Sequence, residues 1–224
     1  MLKKENLSDR LADIIGKQII QNELKSGEII YETQIAKEWG VSRSPVRDAM
    51  RILEQKRLVE RTTKGSYRVT EMSANFIQNL YETVDLLYQY AFAKTARTAT
   101  KKNLLGLESA LAKIEKSAEI RNIELYLQGI LEFAQIILKA AGNPIVESMA
   151  MELMPNAERV QWMSLTCLPD NYEKAARHLR SSLKSIKEKK SQGAAKAFIA
   201  LAAVHVEAAS QYFEDEKIES SRNK

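Results

Sequence analysis

The chain has 224 residues, 45% of them hydrophobic, which is enough for one large core or two small ones and excludes wholesale disorder. Glycine and proline are scarce, and the single cysteine, Cys167, excludes an intramolecular disulfide and suits a reducing compartment. The formal charge of +5 is unevenly placed: residues 1–70 hold 14 Lys and Arg against 10 Asp and Glu, while the rest hold 20 against 19.

That excess in the first third suits a small domain that faces phosphates. Met1 to Glu5 run into an amphipathic segment rather than an apolar core, which argues against a signal peptide. No apolar run is expected to reach the roughly 18–20 residues that span a bilayer. A cytoplasmic protein without membrane contact is the expectation.

In chain order, Leu7, Leu11, Ile14, Ile15, Ile19 and Ile20 recur at helical spacing, so a first helix is predicted, capped by Ser8 and ending near Asn22. Leu24 to Glu28 is a turn. A second short helix from Glu32 to Trp39 carries Ile35, Ala36 and Trp39 inward, and Gly40 stops it. Ser42 then caps a third helix that begins Arg43-Ser44-Pro45-Val46, where proline is tolerated because first-turn N–H groups have no intrahelical partner. Ala49, Met50, Ile52 and Leu53 give that helix its buried face.

After Lys56-Arg57 the period becomes alternating. Leu58 to Thr62 and Ser66 to Thr70 read as two short strands around a tip at Thr63-Lys64-Gly65. Beyond a linker at 71–74, helical periodicity returns around Phe76–Ala91. It persists over Lys102–Lys116, Ile123–Ala141, Pro144–Thr166, Asn171–Lys189 and Ala194–Phe213. The predicted fold is mainly α. A winged helix-turn-helix with a two-stranded wing covers 1–70, an antiparallel bundle of six or seven helices covers 75–213, and a polar tail covers 214–224.

The run Gly40 to Met50 carries the chemistry. A tight turn sets one helix across another, so the third helix can enter a major groove. Arg43 and Arg47 lie one turn apart near its N-terminus, where arginine is shaped for a bidentate contact to guanine. Ser44 and the first N–H groups can hold a phosphate, and Lys64 and Gly65 at the wing tip can reach the flanking backbone.

These residues, with Glu32-Thr33-Gln34-Ile35-Ala36, Leu53 to Val59 and Lys64 to Val69, resemble the GntR family of regulators over about residues 7–70. The resemblance implies DNA contacts from Arg43, Ser44, Arg47 and Gly65. Where some relatives have an arginine in the second helix this chain has Thr33, so that contact is absent or replaced.

The remainder, with Phe133-Ala134 shortly before Ala140 to Pro144, resembles the FadR-type (FCD-like) effector domain of that family. Many such domains hold a divalent metal through an Asp, a His one turn later and two further His. The aligned positions here are Ile130 and Ala134, which cannot bind metal, and the family arginine falls at Val84 or Asp85. His178 and His205 supply only two ligands. No metal and no cofactor is expected. A more apolar pocket would remain, lined by Tyr88, Tyr126, Gln135, Arg159, Trp162 and His178, with Arg159 suited to an anionic group.

The leading expectation is a repressor that binds a short palindromic operator as a homodimer and answers to a small-molecule effector. A second arrangement keeps DNA binding and makes the bundle a dimerisation module without ligand. A third arrangement, an enzyme, is not expected: there are two histidines, one isolated cysteine and no phosphate loop, HExxH or GxSxG, and Cys167 lacks basic neighbours and a resolving cysteine.

Overall fold

Leu11, Ala12, Ile15 and Ile19 recur every three or four residues, so α1 (Leu7–Ile20) turns one apolar stripe inward. The computed structural model describes residues 6–222, with side chains through Phe213. The expectations for Met1 to Glu5, and for Asn223 and Lys224, lie outside the described residues. The described residues divide into two compact units. One comprises the chain up to Met72 together with Glu152–Arg159, the other Ser73–Met151 and the chain from Val160 onward.

In the first unit, α1 begins two residues earlier than the Ser8 cap predicts. Asn6 stands at the N-cap, and Ser8 is a buried helical residue. α2 (Glu32–Glu38) and α3 (Arg43–Gln55) follow, separated by a turn in which Gly40 adopts φ 64°, a left-handed conformation that costs glycine little. Val46, Ala49, Met50 and Leu53 form the inner face of α3. They meet the α1 stripe in one core with Leu58, Val59, Tyr67 and Val69. Each large side chain withdrawn there contributes about 1.5–3 kcal/mol.

The alternating segments form β2 (Val59–Arg61) and β3 (Tyr67–Val69), antiparallel, with Glu60 opposite Arg68. The sheet has one strand more than the sequence suggested: β1 (Ile29–Ile30) pairs with the other edge of β3, giving the order β1-β3-β2. Two residues are too short for any period to register.

The second unit holds α4 (Ala74–Thr98), α5 (Lys101–Glu119), α6 (Ile123–Ala141), most of α7 (Pro144–Cys167), α8 (Asn171–Lys187) and α9 (Ser191–Arg222). Its main packings are α4 on α9 and α6, α8 on α9, and α5 on α6 and α8. Four helix starts are fixed by side chains that accept backbone N–H groups: Ser73, Thr100, Asn122 and Asn143. Such a cap contributes about 1 kcal/mol. α9 continues to Arg222, so the predicted tail from residue 214 begins as helix. By length and composition Ser191–Phe213 is also long and apolar enough to cross a bilayer, contrary to expectation. Its mean hydropathy is 1.2, and half of that window is buried inside the protein, as in the core helix of a bundle.

The segment of α7 that belongs to the first unit grips its irregular edges. Asn156 donates to the carbonyls of Lys56 and Arg57, at 3.0 and 3.3 Å, where α3 ends. Glu152 accepts from Arg57 Nε at 3.2 Å. Arg159 directs both terminal nitrogens at the Thr70 carbonyl, each at 3.2 Å.

Candidate nucleic-acid interface

The N-terminal end of α3 is built by the turn before it. Ser42 is extended (φ −72°, ψ 162°) at the N-cap, as the sequence predicts, but its hydroxyl makes no cap bond. The first-turn N–H groups of a 13-residue helix are thus left without intrahelical or cap partners, which suits an incoming phosphate oxygen. Ser44 is exposed beside them.

Arg43 and Arg47 project from the same side of this end, with side chains 61% and 49% exposed. Both converge on one carboxylate: Glu32 Oε2 lies 3.8 Å from Arg43 Nη2 and 3.5 Å from Arg47 Nε. Sequence reasoning missed Glu32 because a single acid at a helix start reads as an ordinary end charge. Thr33, the next residue on α2, is exposed. Tyr67 at the start of β3 lies within electrostatic range of Glu32, Glu54, Arg51 and Arg61, which places that strand beside α3.

The wing tip is a tight loop in which Thr62 N donates to the Ser66 carbonyl at 2.8 Å and Gly65 N to the Thr62 carbonyl at 3.0 Å. Gly65 has φ 83°, and a Cβ there would meet nothing within 4 Å, so its backbone is bare. Lys64 beside it is exposed. Behind the tip, Arg68 Nε donates to Glu60 at 2.8 Å across β2 and β3.

The six residues expected to line an effector pocket fall in different settings. Tyr88 is buried and stacks on Phe198, with centroids 4.9 Å apart. Tyr126 is buried edge-on to Tyr172 at 5.1 Å. Gln135, Trp162 and His178 are half-buried. Arg159 is buried in the first unit on the Thr70 carbonyl, and burial lowers its pKa to about 10.

Other polar groups of the second unit take no hydrogen bond from the protein although buried: the hydroxyls of Tyr126 and Tyr172, Asp85 Oδ1 and His205 Nε2. Burial pushes the Asp85 carboxyl up to about 6 and the His205 imidazole down to about 4, in each case by disfavouring the charged form. The other ring nitrogen of His205 lies 3.1 Å from Ser164 Oγ, which also accepts from Asn171 Nδ2 at 3.0 Å. Asp85, Tyr172 and His205 gave no periodic signal of their own. Each sits on an apolar helix face, where a polar residue reads as a lapse in the pattern.

Ile130 and Ala134 are buried on α6 among apolar neighbours. Among the described residues no group of three or more His, Cys, Asp or Glu side chains is placed to hold a metal ion. The Asp and His that the family resemblance implies as first ligands are replaced here by two side chains without a donor atom. Cys167 is exposed, and partial desolvation of its thiol raises its pKa above the ordinary value.

Comparison with known proteins agrees with this arrangement. Residues 7–69 match the family described as bacterial regulatory proteins, gntR family, and residues 79–204 match the FCD domain. The HTH-type transcriptional regulator YdhC of Bacillus subtilis is 37% identical over 103 residues, 46% of each chain, so the match spans under half of that relative. The gluconate operon transcriptional repressor of B. subtilis is 26% identical over 180 residues, 80% of this chain and 73% of the relative. Among solved structures, E. coli McbR/YncC superposes with a TM-score of 0.80 at 18% identity, covering 93% of this chain and 99% of that one, which shows a shared fold. The chain belongs to the GntR family of bacterial regulatory proteins and carries its FCD domain, and it is a DNA-binding transcriptional regulator rather than an enzyme.

Proposed function

We propose that this regulator is a repressor that binds a short palindromic operator as a homodimer. The observation that carries this reading is the pair of exposed arginines at the N-terminal end of α3, beside first-turn N–H groups that no cap occupies. In it Arg43 and Arg47 address base edges, Ser44 and Thr33 the backbone near them, and Lys64 and Gly65 the flanking phosphates. A homodimer would set two recognition helices one turn of DNA apart. The proposed boundary between the two domains is the segment 71–74, with Glu152–Arg159 returning to the first unit.

The FCD domain is the proposed receiver of a small-molecule effector. Buried polar groups without protein partners, on Asp85, Tyr126, Tyr172 and His205, support a ligand held by hydrogen bonds and apolar contact. The gluconate operon repressor among the relatives makes sugar acids a reasonable first set of compounds.

The test is titration of the full-length protein against an operator selected from a random duplex pool, with Arg47→Ala alongside. Loss of the Arg47 contact should weaken binding by about 1–3 kcal/mol per half-site, with circular dichroism unchanged. Unaltered affinity would remove Arg47 from the interface. Light scattering on the full chain tests the dimer, and a monomer at all concentrations would sink it. A thermal-shift screen of carboxylates and sugar acids tests the effector. No shift with any of them would favour a bundle that only dimerises.

A further inference from the structure

Arg43 and Arg47, the two exposed arginines at the N-terminal end of α3, are not independent cations. Their heads face a single oxygen of Glu32, whose side chain is only 12% exposed, at 3.5 and 3.8 Å. These distances make ion pairs looser than a short hydrogen bond, so they orient the guanidiniums without locking them. Glu32 opens α2, and the start of a helix favours a negative charge, which keeps this anion where it is.

We infer that Glu32 is a positioning and specificity-determining residue for operator recognition. It biases Arg43 and Arg47 toward one orientation and weakens their attraction to the phosphates of any other DNA. This rests on the proposal that those arginines touch DNA. Binding to random sequence is almost wholly attraction to phosphates with release of counterions. An anion beside both guanidiniums subtracts from that attraction at every site. A guanine edge of the right geometry returns what is subtracted, because a bidentate fork must arrive already oriented. Random DNA is thereby penalised more than the operator, and discrimination widens.

The experiment compares full-length wild type, Glu32→Gln, Glu32→Asp and Arg47→Ala. Each is titrated by fluorescence anisotropy into the selected operator and into a random duplex of equal length, over a salt series. Glu32→Gln keeps the size and removes the charge. Its affinity for random DNA should rise, with a salt slope steeper by about 0.9 for each extra phosphate contact. The operator-to-random ratio should fall by about tenfold, the equivalent of one bidentate contact losing its orientation. Glu32→Asp, which keeps the charge on a shorter arm, should recover part of the ratio. A purely structural role would lower the melting temperature and leave the ratio alone. An unchanged ratio in Glu32→Gln, with Arg47→Ala impaired on the operator, would overturn the role of Glu32 only. An Arg47→Ala that binds the operator like wild type would overturn the contact assignment and this inference with it.

Discussion

Gly129 of α6 lies against Ile114 of α5 so closely that a Cβ at position 129 would fall 2.7 Å from Ile114 Cγ1 and 3.4 Å from its backbone nitrogen. Both residues are fully or almost fully buried, so neither helix can give way toward solvent. Gly129→Ala should therefore destabilise the second unit by about 1–3 kcal/mol, the usual cost of forcing a methyl group into a packed contact. Urea denaturation is the measurement. A variant as stable as wild type would mean that the two helices separate freely.

Asn156 offers a second test. Its amide serves two carbonyls at the end of α3, and alanine would leave both with one donor fewer. Thr70 Oγ1 still donates to the Arg57 carbonyl at 2.8 Å, so Asn156→Ala should cost about 1–3 kcal/mol through the Lys56 carbonyl if it stays dry, because an unmatched buried acceptor carries its desolvation penalty. Hydrogen exchange of the α3 amides should speed up near Gln55 before it does near Arg43. Uniform acceleration along the helix would instead indicate global unfolding.

The acid–base behaviour of Glu158 predicts a pH dependence. Burial raises its carboxyl from the ordinary value of 4.5 to about 7, against a partial opposing pull from Lys56. The folded state therefore holds a proton that the unfolded chain releases. Its contribution to stability is full below about pH 4.5 and is lost as pH rises through about 7. The stability of wild type minus that of Glu158→Gln should fall between these limits. Other groups, His205 included, titrate alike in both proteins and cancel in the difference. A flat difference would show that the carboxyl is solvated.

Metal dependence is the fourth expectation. With Ile130 and Ala134 buried on α6 and no cluster of three candidate ligands among the described residues, zinc or EDTA should leave the thermal melt unchanged. A rise of several degrees on adding zinc that His178→Ala removes would mean that a site assembles from residues outside that alignment.

The DNA-binding half was legible because its signals are local. Gly40, Ser42 and Pro45 punctuate the turn, Val46 to Leu53 keep helical period, and Val59 to Val69 alternate. What stayed hidden is non-local. The partner of Arg43 and Arg47 sits on another helix, β1 exists only through its pairing with β3, and Asn156 acts a hundred residues from the carbonyl it serves. The bundle helices were legible by the same periodicity, but the polar side chains turned into their interior were not. Period assigns a position to a face and says nothing about what faces it.

The return of the chain to its first unit at Glu152–Arg159 has a bearing on synthesis and on protein engineering. A ribosome delivers α4, α5 and α6 before it delivers the eight residues that complete the first unit, so that unit cannot be complete until those three helices have been made. A chimera joined in the linker at 71–74 inherits the wrong clasp: its winged helix comes from one parent, while the residues that hold Lys56, Arg57 and Thr70 come from the other. Grafting 152–159 along with the first seventy residues should restore the thermal stability that the simple fusion loses.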